Sequence, residues 1–500
     1  MEYQIMGKTA TLRNEEPQAT IVDGREFPME GVEMFTSDIA PKAKDNASLV
    51  NKLPIELLLE IFWRYVHGED ICPVPSHAYK IPTSCQSSGD PVRVSQVCSL
   101  WRAIAFSSPT LWSTIYFNTT VRSHFDRLSH HIHRSAAVPL TLTIDMQRIR
   151  RPKLFQPGAM QKALQSALAQ LPRCRRLYLN FSWEMQTWLV QNLPPTPPLQ
   201  LEEFSAYIPG WSSGSRSTLK LCTYLHSSPR LLAAKWKGVH AFGRTTELLV
   251  QHIPRDVRVV EMEDFHSLDD LVPFLKGCER LERLSSYISK ATRLQSPALR
   301  LDHLQSLSLS TMGNLAATLG SLTLPSLTEL TLDHFWDMGH AGVLHADIGW
   351  AALLAMVERS GCRIQRLTYK RNGGNNGEDP YVAEEDLLHT LESPLFDSLT
   401  YLSLEGSFGN ATLMGLTLLP GHRKTLPGLK SLEVKGCWST DGVWSELVMS
   451  RSGQALESAH ILLRGPSQSN FSRDMMLVLP SVDVHAEWRE LDHKTGLALG

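Results

Sequence analysis

The sequence predicts an α/β fold in which a small helical module leads into an elongated array with a curved parallel sheet. Three observations carry that expectation. Two short amphipathic segments lie between residues 48 and 117, and an apolar pattern returns at intervals of 23 to 37 residues from Cys174 to Leu456. The chain also has 500 residues, enough for several domains or for one architecture that grows by repetition.

Composition narrows the function classes. There are 49 basic and 51 acidic residues, for a net charge of -2, which removes the electrostatic argument for nucleic acid or an anionic membrane as partner. No run of 18 apolar residues occurs, and Met1 to Ala10 lacks the layout of a secretory signal, so the chain is expected to be cytoplasmic, nuclear or both. Eight cysteines (72, 85, 98, 174, 222, 278, 362 and 437) are scattered singly without a C-x-x-C pair. That spacing suits reduced thiols, with no structural metal and no disulfide framework.

Residues 1–47 mix charges, Gly and Pro without periodicity and read as a mobile arm. The module is expected over 48–117. Pro54 fits the first turn of a helix, and Leu57, Leu58, Ile61, Phe62 and Tyr65 then fall on one face. A Pro- and Ser-rich loop is expected over 67–92. A second helix is expected from Val94 to Phe106, placing Cys98 on its apolar face, where a thiol is usually inert packing, before Ser107-Ser108-Pro109 stops it. Leu111 to Phe117 reads as a strand.

Beyond 117 a template of three apolar residues, at positions one, four and six, matches eleven times. It starts at Cys174, Leu201, Leu231, Val257, Leu281, Leu304, Leu327, Ile364, Leu399, Leu429 and Leu456. The runs LQSLSL, LTELTL, LTYLSL and LKSLEV at 304, 327, 399 and 429 carry the leucine-rich-repeat signature, in which each unit supplies a short strand and a return segment. An irregular leucine-rich-repeat solenoid is therefore expected over 118–500, with return helices at Asp269–Leu275, Trp350–Glu358 and Glu384–Leu391. Residues alternating with the apolar ones would face out along the inner curve. They include Tyr178, Tyr207, Arg283, Asp333, Arg366, Tyr401 and Glu433, the candidates for gripping a protein target, together with Arg176, Asn180, Glu261, Glu263, Glu329, Lys370 and Lys435.

The leading module resembles the F-box family. The first half of that motif is Leu53-Pro54-x-Glu56-Leu57-Leu58-x-Glu60-Ile61-Phe62, the second is Val97-Cys98-x-x-Trp101-Arg102, and Leu111-Trp112 follows. The loop between the halves is longer and richer in Pro and Ser than the family norm. The resemblance implies that Leu53, Pro54, Leu57, Leu58, Ile61, Phe62, Val97, Trp101, Leu111 and Trp112 dock the Skp-type adaptor of a cullin-RING ubiquitin ligase. It further implies a substrate receptor, of a type most like fungal ones, whose repeats hold an unidentified protein target. The rival reading is a ligase-independent repeat scaffold whose helical cap never docks.

Chemistry finds little footing. His124, His130, His131 and His133 have no acidic or thiol ligand at a convincing spacing, so partly exposed helix histidines are expected. No G-x-S-x-G, Walker loop or dinucleotide fingerprint occurs, and the acidic runs at Glu261–Asp264 and Glu384–Asp386 read as solvated faces. The expectation is a binding protein with no catalytic residue and no cofactor.

Overall fold

The computed structural model describes residues 52–68, 90–118, 123–146, 157–181, 185–212, 216–240, 255–265, 272, 275–288, 299–311, 315–335, 349–372, 384–419, 421, 425–437, 439, 442–464 and 482–489. The arm over 1–47, most of the loop expected over 67–92, and most of the return helix expected at Asp269–Leu275 lie outside them.

The module opens with helix α1, Ile55–His67. Pro54 is its N-cap, with extended backbone at φ -53 and ψ 146, and Gly68 ends it at φ +63, a conformation that Gly adopts without steric penalty. Leu58, Phe62 and Val66, spaced four apart, are buried. The single helix expected over Val94–Phe106 is instead two, α2 at Pro91–Ser95 and α3 at Ser99–Ser107. The break has a local cause. Cys98 holds extended backbone and caps α3, its Sγ accepting from the Trp101 amide at 3.5 Å. Across the break, Arg102 Nε donates to the Ser95 carbonyl at 3.0 Å. Cys98 is thus a half-buried cap and not part of a helical face.

The strand expected from Leu111 also starts later. Pro109–Trp112 forms a 3-10 turn that drives Leu111 and Trp112 inward, and strand β1 runs over Thr114–Asn118.

Strands β2 Leu140–Asp145, β3 Cys174–Asn180, β4 Glu203–Ser212, β5 Ala233–His240, β6 Val259–Phe265 and β7 Arg283–Ile288 follow. After them come β8 Leu299–Arg300, β9 Ser306–Thr311, β10 Leu322–Thr323, β11 Glu329–Phe335, β12 Arg366–Asn372, β13 Tyr401–Glu405, β14 Ser431–Cys437, β15 Ser458–Arg464 and β16 Asp483–Arg489. β8 and β10 pair with each other, and the remaining fourteen form one parallel sheet in strict sequence order. Thirteen steps of about 4.8 Å give roughly 60 Å measured across the strands.

The register explains why these residues form this sheet. Position four of the template makes one ladder, Leu177–Phe204–Ala234–Val260–Leu284–Leu307–Leu330–Leu367–Leu402–Leu432–Ala459, and position six makes the next, Leu179–Ala206–Trp236–Met262–Ser286–Leu309–Leu332–Tyr369–Leu404–Val434–Ile461. All eleven starting residues are buried as well, none more than 6% exposed. Burial of a Leu-sized side chain contributes about 1.5–3 kcal/mol, so rows of this length dominate the favourable side of the balance.

Helices α4 Ser123–Arg134, α5 Pro157–Leu168, α6 Gln186–Gln191, α7 Arg216–His226, α8 Ala316–Gly320, α9 Trp350–Ser360, α10 Glu384–Leu391, α11 Asn410–Leu416 and α12 Val443–Arg451 return the chain between strands. Their apolar residues, such as Leu164, Leu221, Leu353, Leu387, Leu413 and Leu447, join the same core as the ladders. Consecutive units are also stitched by guanidinium groups, that of Arg451 buried and that of Arg359 on an exposed residue. Arg451 Nε, Nη1 and Nη2 donate to the carbonyls of Leu416, Leu426 and Thr425, and Arg359 Nη2 donates to those of Leu319 and Leu322. In each case the cation meets the negative end of the preceding unit's helix. Burial lowers the pKa of Arg451 to about 10, which leaves it charged at neutral pH.

Candidate partner-docking surfaces

The helical module divides its apolar residues between two jobs. Trp112 is fully buried; its Nε1 donates to the Ala105 carbonyl at 2.8 Å, and its ring sits 5.9 Å from Phe106, 5.2 Å from His130 and 5.1 Å from His131. Phe62 is buried with its ring 4.6 Å from that of half-buried Trp101, which holds α1 against α3. Leu58 and Leu111 are buried too. Of the residues expected on the docking face, Leu58, Phe62, Leu111 and Trp112 therefore support it from behind and offer no surface, because their side chains complete the module's own core.

The outward residues are different ones. Pro54, Leu57, Ile61 and Val97 are exposed, the last three at 51%, 48% and 60%, and Leu53 is half-buried. The structure adds Ile55 (54%), Trp63 (45%), Tyr65 (47%) and Leu100 (37%). Seven of the twelve large exposed apolar side chains among the described residues thus sit between 55 and 100. That concentration matters, because scattered exposed apolar residues are ordinary and a cluster of them marks an interaction site. Their signal was already present in α1, whose apolar residues occupy more of the helix circumference than one buried stripe needs.

The module is fixed to the sheet. His67 at the end of α1 has Nε2 3.1 Å from the Thr110 carbonyl and Nδ1 3.0 Å from Thr114 Oγ1, at the start of β1. Arg127 of α4 pairs with Asp90, the α2 cap, at 3.3 Å, and Arg134 of α4 lies over the Phe106 ring at 4.0 Å. His130 and His131 are parts of this joint. Burial drives the His131 pKa down to about 4, with Asp90 acting against that and His130 and Arg127 reinforcing it. Among the described residues, no group of three His, Cys, Asp or Glu is arranged to hold a metal ion.

The second surface is the sheet face turned away from the helices. Tyr178, Tyr207, Arg283, Arg366, Tyr401 and Glu433 all reach it, whereas Asp333 and Asn180 are 8% and 4% exposed and present little surface. Glu263 lies on β6, but its side chain is outside the described set. Most charges on this face neutralise one another. On β3–β6, Glu203 lies 3.8 Å from Arg176 and Glu261 3.3 Å from Lys235. On β11–β15, Arg366 stacks on Tyr401 at 4.0 Å and pairs with Glu329 at 3.7 Å. Tyr401 and Ser403 hydroxyls donate to Glu433 Oε2 at 3.0 and 2.9 Å, and Lys435 reaches Glu433 Oε1 at 2.7 Å. Burial works against the Glu433 charge, yet the hydrogen bonds from Lys435, Ser403 and Tyr401 outweigh it and hold the carboxyl at about 2.

In each acidic run the first carboxylate has partners of its own. Glu261 is tied to Lys235 and Lys237. Glu384 is structural: Oε1 accepts from the Gly409 amide at 2.8 Å, and Oε2 from the amide and hydroxyl of Thr412, both at 2.6 Å. It caps α11 from the preceding helix. Burial pushes the thiols of Cys174, Cys278 and Cys437 up to about 12, so they are inert at neutral pH. No helix among the described residues is long and apolar enough to cross a membrane.

None of the curated proteins matches the chain. Residues 50–118 match the family model described as F-box-like, a span that runs from just before α1 to the end of β1. The outward apolar residues of α1 and α3 lie within that span, so the helical module is an F-box-like domain joined to a long parallel sheet.

Proposed function

We propose that this chain is a substrate-recognition subunit of a cullin-RING ubiquitin ligase of the SCF type, acting in the cytoplasm or nucleus. The F-box-like domain docks a Skp-type adaptor, and a leucine-rich-repeat solenoid built on the parallel sheet holds a protein target. The observation that carries this reading is the exposure of Leu57, Ile61, Trp63, Tyr65, Val97 and Leu100 on a domain whose own core is already complete. Helix-in-groove partners use anchors of this kind, and buried aromatic residues supply much of their energy.

The chain makes and breaks no bond itself in this scheme. It raises the effective concentration of the target beside the ubiquitin carrier, which is a positioning effect. The pairing of a docking domain with a broad polar sheet, linked through His67 and α4, suits that task better than a free-standing scaffold, which has no use for an exposed apolar helix. Co-purification tests it: the wild-type chain should bring down the adaptor and the cullin, and Leu57→Asp with Ile61→Asp should lose both while the chain still melts cooperatively. Retention of both partners by the double variant would contradict the docking mode.

A further inference from the structure

The open sheet face is not uniform. From β1 to β15, Arg283 is the one charged side chain on that face, among those described, with neither an ion pair nor a hydrogen bond. It is exposed at the start of β7. Its partner across the ladder is Ser306, and one step further along the strands Ser285 faces Ser308, with Ser310 beyond. These serine hydroxyls, too, have no hydrogen-bond partner among the described residues. An unneutralised guanidinium therefore has Val259 beside it on β6 and, on β9, a row of short serine side chains that offer spare donors.

A guanidinium presents a planar fork of donors that matches an oxyanion in two parallel bonds. The charge balance decides which anion. Arg283 supplies a single positive charge, and the lysines nearest along the row, Lys235 and Lys237, are already committed to Glu261. One carboxylate is neutralised by that charge, whereas a phosphate group brings about -1.5 to -2 and would be left under-compensated. The hydroxyls of Ser285, Ser306 and Ser308 can then donate to the carboxylate or to the backbone carbonyls of the segment that carries it.

Resting on the receptor reading above, we infer that β7 and β9 form the target-reading lane, which seats an extended segment of the target protein and pairs one of its Asp or Glu side chains with Arg283. The networks on either side keep their own charges internally paired. They act as walls to this lane.

Panning a displayed library of random twelve-residue peptides against the full chain tests the inference, with Arg283→Glu and Tyr401→Ala as variants. The wild type should enrich Asp or Glu at one fixed position, and Arg283→Glu should switch that position to Lys or Arg. A selected peptide should bind Arg283→Gln about tenfold or more weakly than wild type, in the range expected for a charge-assisted contact. Because Arg283 is exposed and unpaired, both Arg283 variants should melt as the wild type does. A phosphoserine replacing the selected acid should not improve binding. If it does, the carboxylate is the wrong anion, and if selected peptides ignore both Arg283 variants but lose affinity with Tyr401→Ala, the lane is wrongly placed; either result overturns the inference while target binding by the sheet face stands. If no peptide enriches, or selected peptides are indifferent to every substitution on the face, the receptor reading fails with it.

Discussion

At the scale of single residues, the module sorts neighbouring apolar side chains, burying Leu58 and Phe62 and leaving Leu57 and Ile61 exposed. Trp112 anchors the interior, and its loss would open a cavity costing about 3–5 kcal/mol. Leu57 and Ile61 instead leave about half of their surface to solvent. Half-buried His131 and buried His334 give the fold a specific acid sensitivity. Burial lowers His131 and His334 to about 4, with Arg371 adding to the effect at His334. The unfolded chain protonates these rings near pH 6.5 while the folded chain does not until about pH 4. Unfolding therefore takes up protons in that window, and stability is full above about pH 6.5, falls as pH drops towards 4, and levels off below. Urea titrations between pH 7 and 4.5 should show a shallower loss for His131→Gln than for wild type, by close to one proton. Equal slopes would mean the ring titrates normally in the folded state.

At the scale of elements, legibility in the sequence followed the strength of the local pattern. Helices at Trp350 and Glu384 were visible because apolar spacing and a clear start coincide, and the observed spans, Trp350–Ser360 and Glu384–Leu391, keep those starts. β2 escaped the template for a geometric reason. The register shifts between Leu140 and Thr141, so Leu140 takes the first buried position only two residues before Leu142, where the template demands three. Val482 stands in the same relation to Val484 in β16. The break at Cys98 was hidden because apolar spacing runs straight through it, and only the cap geometry separates α2 from α3. Glu384 was unreadable for a different cause: its partners lie 25 and 28 residues away, on the next helix start. Glu384→Ala leaves two amides and a hydroxyl without their acceptor and should cost about 1–3 kcal/mol. Thermal melting checks this, with Glu384→Gln recovering part of the loss; a melt identical to wild type would show that the cap carries no weight.

At the scale of the whole molecule, the sequence foretold the sheet through its periodicity but not how the residues expected to dock divide between core and surface. Hydrophobicity alone ranks Leu57 and Leu58 together, whereas the packing of α1 on Trp101 and the 3-10 turn buries one and exposes the other. The open sheet face was legible as a strip of alternating residues, yet which of its charges were spent on one another depended on cross-strand register. The proposed docking depends on the apolar surface exposed on α1 and α3. Calorimetric titration of a purified Skp-type adaptor into the full chain at several temperatures probes this most directly. Docking through this surface should give one-to-one binding with a clearly negative heat-capacity change, the mark of apolar burial, abolished by Leu57→Asp with Ile61→Asp. Binding with a heat-capacity change near zero, or unaltered by the double substitution, would contradict it.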